Sequence, residues 1–245
     1  EGYGYTVATE MYSAGIERLT HQPLSFSVSE TTEGVHIHII DAELMGKGEK
    51  EKKDLYIEGI QNNGIINHYE YIINSEGTIE IRHVLKPEGK MPLWFPRIGL
   101  TLTVSDALDQ VKWYGRGPQE NYPDRKTGYP TGIYASTVQA MYEPYLMPQD
   151  YGLRTDVRWL QLTTDKGIGL QFKMNEWFNF NIYPYSTDNL TKAMYTYQLQ
   201  KQKGMTLNLD YATTGVGCTA RGVFGAYKAM PQEYRRTISI RPMMK

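Results

Sequence analysis

Cysteine is almost missing from this chain of 245 residues: Cys218 stands alone, so no internal disulfide can form. A single cysteine leaves the compartment open, cytoplasmic or periplasmic. No apolar run reaches the roughly 20 residues of a membrane-spanning helix, and the opening residues lack a signal-peptide pattern, so no membrane partner is expected. Neither charge sign dominates. The 26 Lys and Arg against 27 Asp and Glu leave a net charge of −1. The basic residues are scattered, without the footprint that a nucleic-acid backbone requires. Histidine is scarce, and all 5 lie at or before His83, which argues against a mutarotase-type His acid and carboxylate base in the later half. No Gly-x-Ser-x-Gly elbow occurs, and Gly115-Arg-Gly-Pro118 lacks the strand-to-helix setting of a phosphate loop.

What is abundant is tyrosine (20) and glycine (23), a mixture suited to strands, tight turns and half-exposed aromatic surfaces. With 40% hydrophobic residues the chain can bury one large core, and residues 1–245 read as a single domain. Strands are expected at 24–29, 34–42, 54–61, 64–74, 77–85, 97–104, 110–114, 157–164, 167–174, 178–183, 204–211 and 233–242. Gln61-Asn-Asn-Gly64 is a hairpin signal, because Asn-Gly adopts the primed turn that matches strand twist. Residues 46–53 read as a charged, solvated loop. Short helices are confined to 6–15 and 187–199, so helix should fall below about 15%. With no βα alternation, the fold class is all-β, a large antiparallel β-sandwich.

Several groups of residues could carry chemistry. His36 and His38, two apart on a strand, share a face. A metal there would need a third ligand and a supporting shell, and surface histidines are the simpler reading, so no metal site is assigned. Asn175-Glu176 sits between two expected strands and reads as a loop. In Phe178-Asn-Phe-Asn-Ile-Tyr183, alternation puts the apolar side chains on one face and Asn179, Asn181 and Tyr183 on the other. Trp177 stands at the loop edge of that strand. A flat indole beside amides suits a sugar, which offers C–H groups on one face and hydroxyls at its rim. Core or interdomain packing is the alternative. Arg154, Asp156 and Arg158 alternate and could form a ladder on one strand face. The richest stretch is Trp113-Tyr-Gly-Arg-Gly-Pro-Gln-Glu-Asn-Tyr-Pro-Asp-Arg125. Its glycines and prolines fix an ordered loop leaving a strand, equally a structural corner or a binding loop.

Residues 117–125 of that stretch resemble the signature of the C-terminal small-chain domain (domain 5) of glycoside hydrolase family 2 β-galactosidases. Pro96-Arg-Ile-Gly-Leu100, Tyr142–Trp159, Phe178–Ser186 and Leu207-Asn-Leu-Asp210 agree in order and spacing. The resemblance spans nearly the whole chain and is most specific in its second half. It implies a galactose mutarotase-like supersandwich, and a chain that is an excised C-terminal piece lacking the opening strands of its domain. The implied function is accessory. The parent enzyme would hydrolyse terminal β-D-galactosides with retention, through two glutamates in a catalytic barrel absent here, and this domain would roof that active site. No catalytic residue is then expected in the chain, and Asn175-Glu176 is not the general acid it superficially resembles. Substrate contact is assigned to Trp177, Asn179 and Asn175. Glu120, Asn121, Asp124, Arg125 and Arg154 would hold the loop rigid or meet the barrel. No cofactor is expected in the chain, and Mg2+ and Na+ of the parent would bind elsewhere. Partners would be the rest of the parent polypeptide, itself a homo-oligomer, and a β-galactoside. Residues 214–222 depart from the family's Gly-Gly-Asp-Asp-Ser-Trp, which leaves that loop's role and the exact glycoside open. A stand-alone carbohydrate-binding or mutarotase-like module is the other reading, and an interdomain plug a third.

Overall fold

A computed structural model describes residues 18–32, 34–46, 64–218 and 222–244. The expected helix at 6–15 and strand at 54–61 lie outside the described residues, as do most of the Gln61–Gly64 turn and the charged loop expected at 46–53, except Gly46, which ends a strand. Within the described residues every strand pairing is antiparallel. The first half forms a meander: β1 (Arg18–Thr31), β2 (Gly34–Gly46), β3 (Gly64–Ile73) and β4 (Ile79–Glu88) pair in sequence order. β5 (Arg97–Val104), β6 (Gln110–Arg116), β7 (Thr131–Thr137) and β8 (Arg154–Thr163) follow, then β9 (Gly169–Tyr183), β10 (Met205–Thr213) and β11 (Tyr234–Met243).

The sheet branches at β9. Its first half lies between β11 and β8, while its second half lies between β8 and β10, which in turn pairs with β5. The two branches close over one core, so that Tyr211 of β10 reaches His83 of β4 (Oη to Nδ1 2.7 Å). Alternation explains which side chains go inside: Ile65, Tyr69 and Tyr71 of β3, Ile81 and Leu85 of β4, and Phe178, Phe180 and Ile182 of β9 are all buried. Trp113, fully buried, meets Phe180 edge-on at 5.9 Å and Tyr134 at 5.5 Å.

Three differences from the sequence reading bear on the site. The strands expected at 167–174 and 178–183 are one continuous strand, β9, and Asn175-Glu176 lies inside it, not in a loop. Strand β7 was not expected: it is a seven-residue strand that, among the described residues, pairs with β6 alone. The expected helix at 187–199 is a single six-residue α1 (Thr187–Lys192), capped by Ser186, followed by a 3-10 turn at Thr196–Gln198.

Candidate functional site

The Trp113–Arg125 stretch leaves β6 and folds back onto β8. Close approach explains its glycine at 117: a Cβ there would lie 2.8 Å from Tyr134 Cδ2 and 3.0 Å from Trp113 Cζ2. Glu120 is buried and both of its oxygens are occupied. Oε1 accepts from Arg125 Nη2 (2.6 Å) and from the Tyr145 hydroxyl, while Oε2 accepts from the Gly152 amide (2.9 Å) and Tyr122 Oη (3.3 Å). Burial and this carboxylate push the Tyr145 hydroxyl up to about 12, so it stays a donor. Asn121, wholly buried, accepts from Thr155 N (3.1 Å) and Thr155 Oγ1 (2.5 Å) and donates to Gln119 O (3.0 Å), which fixes the loop to β8. Asp124 grips the divergent loop by its backbone: Val216 N donates to Oδ1 (3.0 Å) and Gly217 N to Oδ2 (2.7 Å). Gly215 is required there, since a Cβ would sit 2.3 Å from Asp124 Cγ.

Arg154 points inward, donating to Gly152 O (2.8 Å) and lying over Trp113 at 5.5 Å; burial lowers it to about 10. The ladder expected of Arg154, Asp156 and Arg158 does not form. A bulge intervenes, with Asp156 at φ 55°, and the three side chains part company. Asp156 binds Arg116 (2.5 Å) and Lys126 (2.8 Å), whereas Arg158 stacks over Trp177 at 4.0 Å and Tyr114 at 5.0 Å. Burial raises the Asp156 carboxyl, but the hydrogen bonds and charges of Lys126 and Arg116 outweigh it and hold the group below its usual value.

Opposite this bulge, β9 bows outward. Between the pairs Val157↔Phe178 and Trp159↔Lys173, β8 has only Arg158 while β9 has residues 174–177. The bow presents Trp177, which is 60% exposed. It thus stands within β9, not on a loop before it. Asn175 Oδ1 accepts from Thr237 N (3.0 Å), and Glu176 pairs with Arg236 (2.9 Å). Asn179 is half-buried with both amide ends engaged, to Asp156 N (3.3 Å) and Thr213 Oγ1 (3.2 Å). Arg158 also donates to the Asp156 carbonyl (2.5 Å), so a series of contacts runs from Trp177 through Arg158 and Asp156 to Lys126 beside the signature loop.

Sequence reasoning did not find what lies behind β9. Its amide face is covered: Arg97, buried, donates to Asp210 (2.6 Å), Asp150 (3.1 Å) and Asn181 Oδ1 (3.1 Å). Asn208 donates to Asn181 Oδ1 (2.8 Å) and Tyr183 Oη (3.0 Å), and Tyr183 to Asp150 (3.1 Å). Burial raises Asp210 to about 6 against the attraction of Arg97, which stays protonated. The available signal was polar residues inside otherwise apolar strands: Arg97 opening β5, Asn181 near the end of β9, and Asn208 and Asp210 in β10, with Asn208 paired to Asn181. An open cavity flanks the signature loop, lined by Gln119, Glu120, Arg125, Tyr129, Glu143 and Tyr145. Burial, and then the charge of Glu120, raise the Glu143 carboxyl.

Over residues 10–240 the chain matches the family described as "Beta galactosidase small chain". The chain belongs to that family. Among relatives, the β-galactosidase of Priestia megaterium is 38% identical over 147 residues, covering 60% of this chain and 14% of that protein. That of Vibrio cholerae is 39% identical over 122 residues, 50% of this chain and 11% of its own length. The Pseudoalteromonas haloplanktis enzyme is 33% identical over 159 residues, 63% and 14%. A GalM/aldose epimerase homologue from C. elegans aligns over 89% of this chain and 68% of its own, with TM-score 0.44 and 11% identity. The matched segments span only 11–14% of these relatives' length.

Proposed function

We propose that this chain is the accessory small-chain domain of a longer β-galactosidase polypeptide, roofing one side of an active site carried by a catalytic barrel. The observation that carries this reading is the family match over 10–240, joined to matched segments that cover only 11–14% of the relatives' length. Chemistry within the domain agrees. Glycoside hydrolysis needs two carboxylates facing one bond, one of them free as nucleophile or base. In the signature-loop cavity Glu143 has a raised pKa, but its neighbour Glu120 has both oxygens tied by four donors and cannot attack. The parent would hydrolyse terminal β-D-galactosides through the barrel's own glutamates. The Mg2+ and Na+ expected of the parent would bind outside this chain. Trp177 would offer its exposed face to the acceptor side of the sugar, held flat by Arg158. Deleting this domain from the parent should abolish turnover of a chromogenic β-galactoside. Turnover by the purified chain alone, lost in Glu176→Gln, would overturn the assignment.

One observation favours a second reading, a carbohydrate-binding module. The open cavity, about 440 Å3, falls in the range of ligand sites and carries tyrosines, carboxylates and Arg125. Saturable galactose binding by the isolated chain, lost in Tyr129→Ala, would support it, and its absence would retire it.

A further inference from the structure

The outer face of the amino-terminal meander holds a group of side chains that the accessory role does not use. His38 of β2 pairs in register with Glu70 of β3, and His36 lies two residues along the same face. The sequence alone offered two imidazoles and no third ligand; the β2–β3 register supplies it. His36 Nδ1 lies 3.1 Å and His38 Nε2 3.7 Å from the same oxygen, Glu70 Oε1, and the three ligand atoms all fall within 4.8 Å of one another. A tetrahedral ion with bonds of about 2.0–2.1 Å sets its ligand atoms roughly 3.3 Å apart. Two of the three separations are already close to that, and the third closes by a rotation of His38, whose side chain is about half exposed (48%).

We propose that His36, His38 and Glu70 bind a divalent transition-metal ion of the zinc class. Two imidazoles and one carboxylate are the donors such ions prefer, whereas Mg2+ and Ca2+ take oxygen. Three protein ligands leave the fourth position to water. A supporting shell is present. Thr31 Oγ1 is 2.8 Å from His36 Nε2 and can accept its proton, which leaves the Nδ1 lone pair facing Glu70. Arg82 holds the other carboxylate oxygen, Oε2, at 3.1 Å, so that Oε1 turns towards the imidazoles, and it also reaches Glu80 at 2.7 Å. His36 is buried, so the site is built into the sheet and not strung along its surface. The ion would clamp β2 to β3.

The test uses the untagged chain, stripped with chelator and titrated with Zn2+ in equilibrium dialysis, with Co2+ as a spectroscopic probe. The wild-type chain should take up one Zn2+ and give visible ligand-field bands with Co2+. His38→Ala and Glu70→Gln should each weaken uptake by far more than tenfold and erase the bands, and Thr31→Val should weaken uptake by about tenfold or more. Circular dichroism checks that each variant folds. If Glu70→Gln does not, the half-exposed His38 decides alone. No saturable uptake by the wild-type chain overturns the proposal, since the cluster is then an ordinary ion pair. Uptake unchanged in a folded His38→Ala also overturns it, because the ion then sits elsewhere.

Discussion

Replacing Trp177 by alanine in the intact parent enzyme separates a sugar platform from a packing residue. A buried tryptophan truncated to alanine costs about 3–5 kcal/mol. Trp177 is 60% exposed, and among the described residues its ring is covered by the Arg158 guanidinium at 4.0 Å. A cation–π contact at an exposed site is worth about 0.5–1 kcal/mol. The loss of stability should therefore stay near 1 kcal/mol, a fall in melting temperature of about 2–4 °C for a domain of this size. Stacking on a sugar is worth about 1 kcal/mol, so acceptor affinity should weaken roughly fivefold. Differential scanning calorimetry and inhibition by glucose as acceptor, both on the one variant, give the two numbers. Arg158→Gln serves as control: it should loosen the indole and weaken the acceptor by less than Trp177→Ala does. A melting-temperature loss above about 6 °C with unchanged acceptor affinity would refute the reasoning.

Other perturbations follow from the lattice around the loop and behind β9. Arg97→Met leaves Asp210 buried without its cation and should cost about 3–5 kcal/mol by urea denaturation, partly recovered in Arg97→Met/Asp210→Asn. Asp124→Ala removes the acceptor of the Val216 and Gly217 amides; at about 0.5–1.5 kcal/mol per hydrogen bond, stability should drop by about 1–3 kcal/mol, with faster hydrogen exchange at those two amides. Burial, then the charge of His68, lowers His83 to about 3, against about 6.5 in an unfolded chain. Between those values the unfolded state binds the extra proton, so stability is full above about pH 6.5 and falls as pH drops through the window, by up to about 1.4 kcal/mol per unit. His83→Phe should remove one proton's worth of that slope.

Much of this architecture is legible in the residues. β5 falls where its Arg97–Val104 alternation puts it, and the Asn74–Gly77 turn between β3 and β4 follows from an asparagine that accepts from the Glu76 and Thr78 amides. Expectation failed at β9 because Asn175, Glu176 and Trp177 are exposed and break the period, while their backbone stays extended in the bow opposite Arg158. β7 was overlooked because seven residues on a sheet edge bury little. In the site, the glycines and prolines of the signature loop identified an ordered corner, but not which oxygen of Glu120 meets which donor. The buried network of Arg97, Asp150, Asn181, Asn208 and Asp210 was invisible for a physical reason. Alternation separates two faces of a strand, and it does not say that both are covered.

An accessory domain of this kind makes a larger enzyme's turnover depend on its presence. Parent polypeptide lacking the domain should show no turnover of a chromogenic β-galactoside, and neither should the domain alone. Mixing the two in trans should restore turnover saturably with the domain's concentration, and Asp124→Ala should shift that saturation to higher concentration. Full turnover by the truncated parent without the domain would contradict the account.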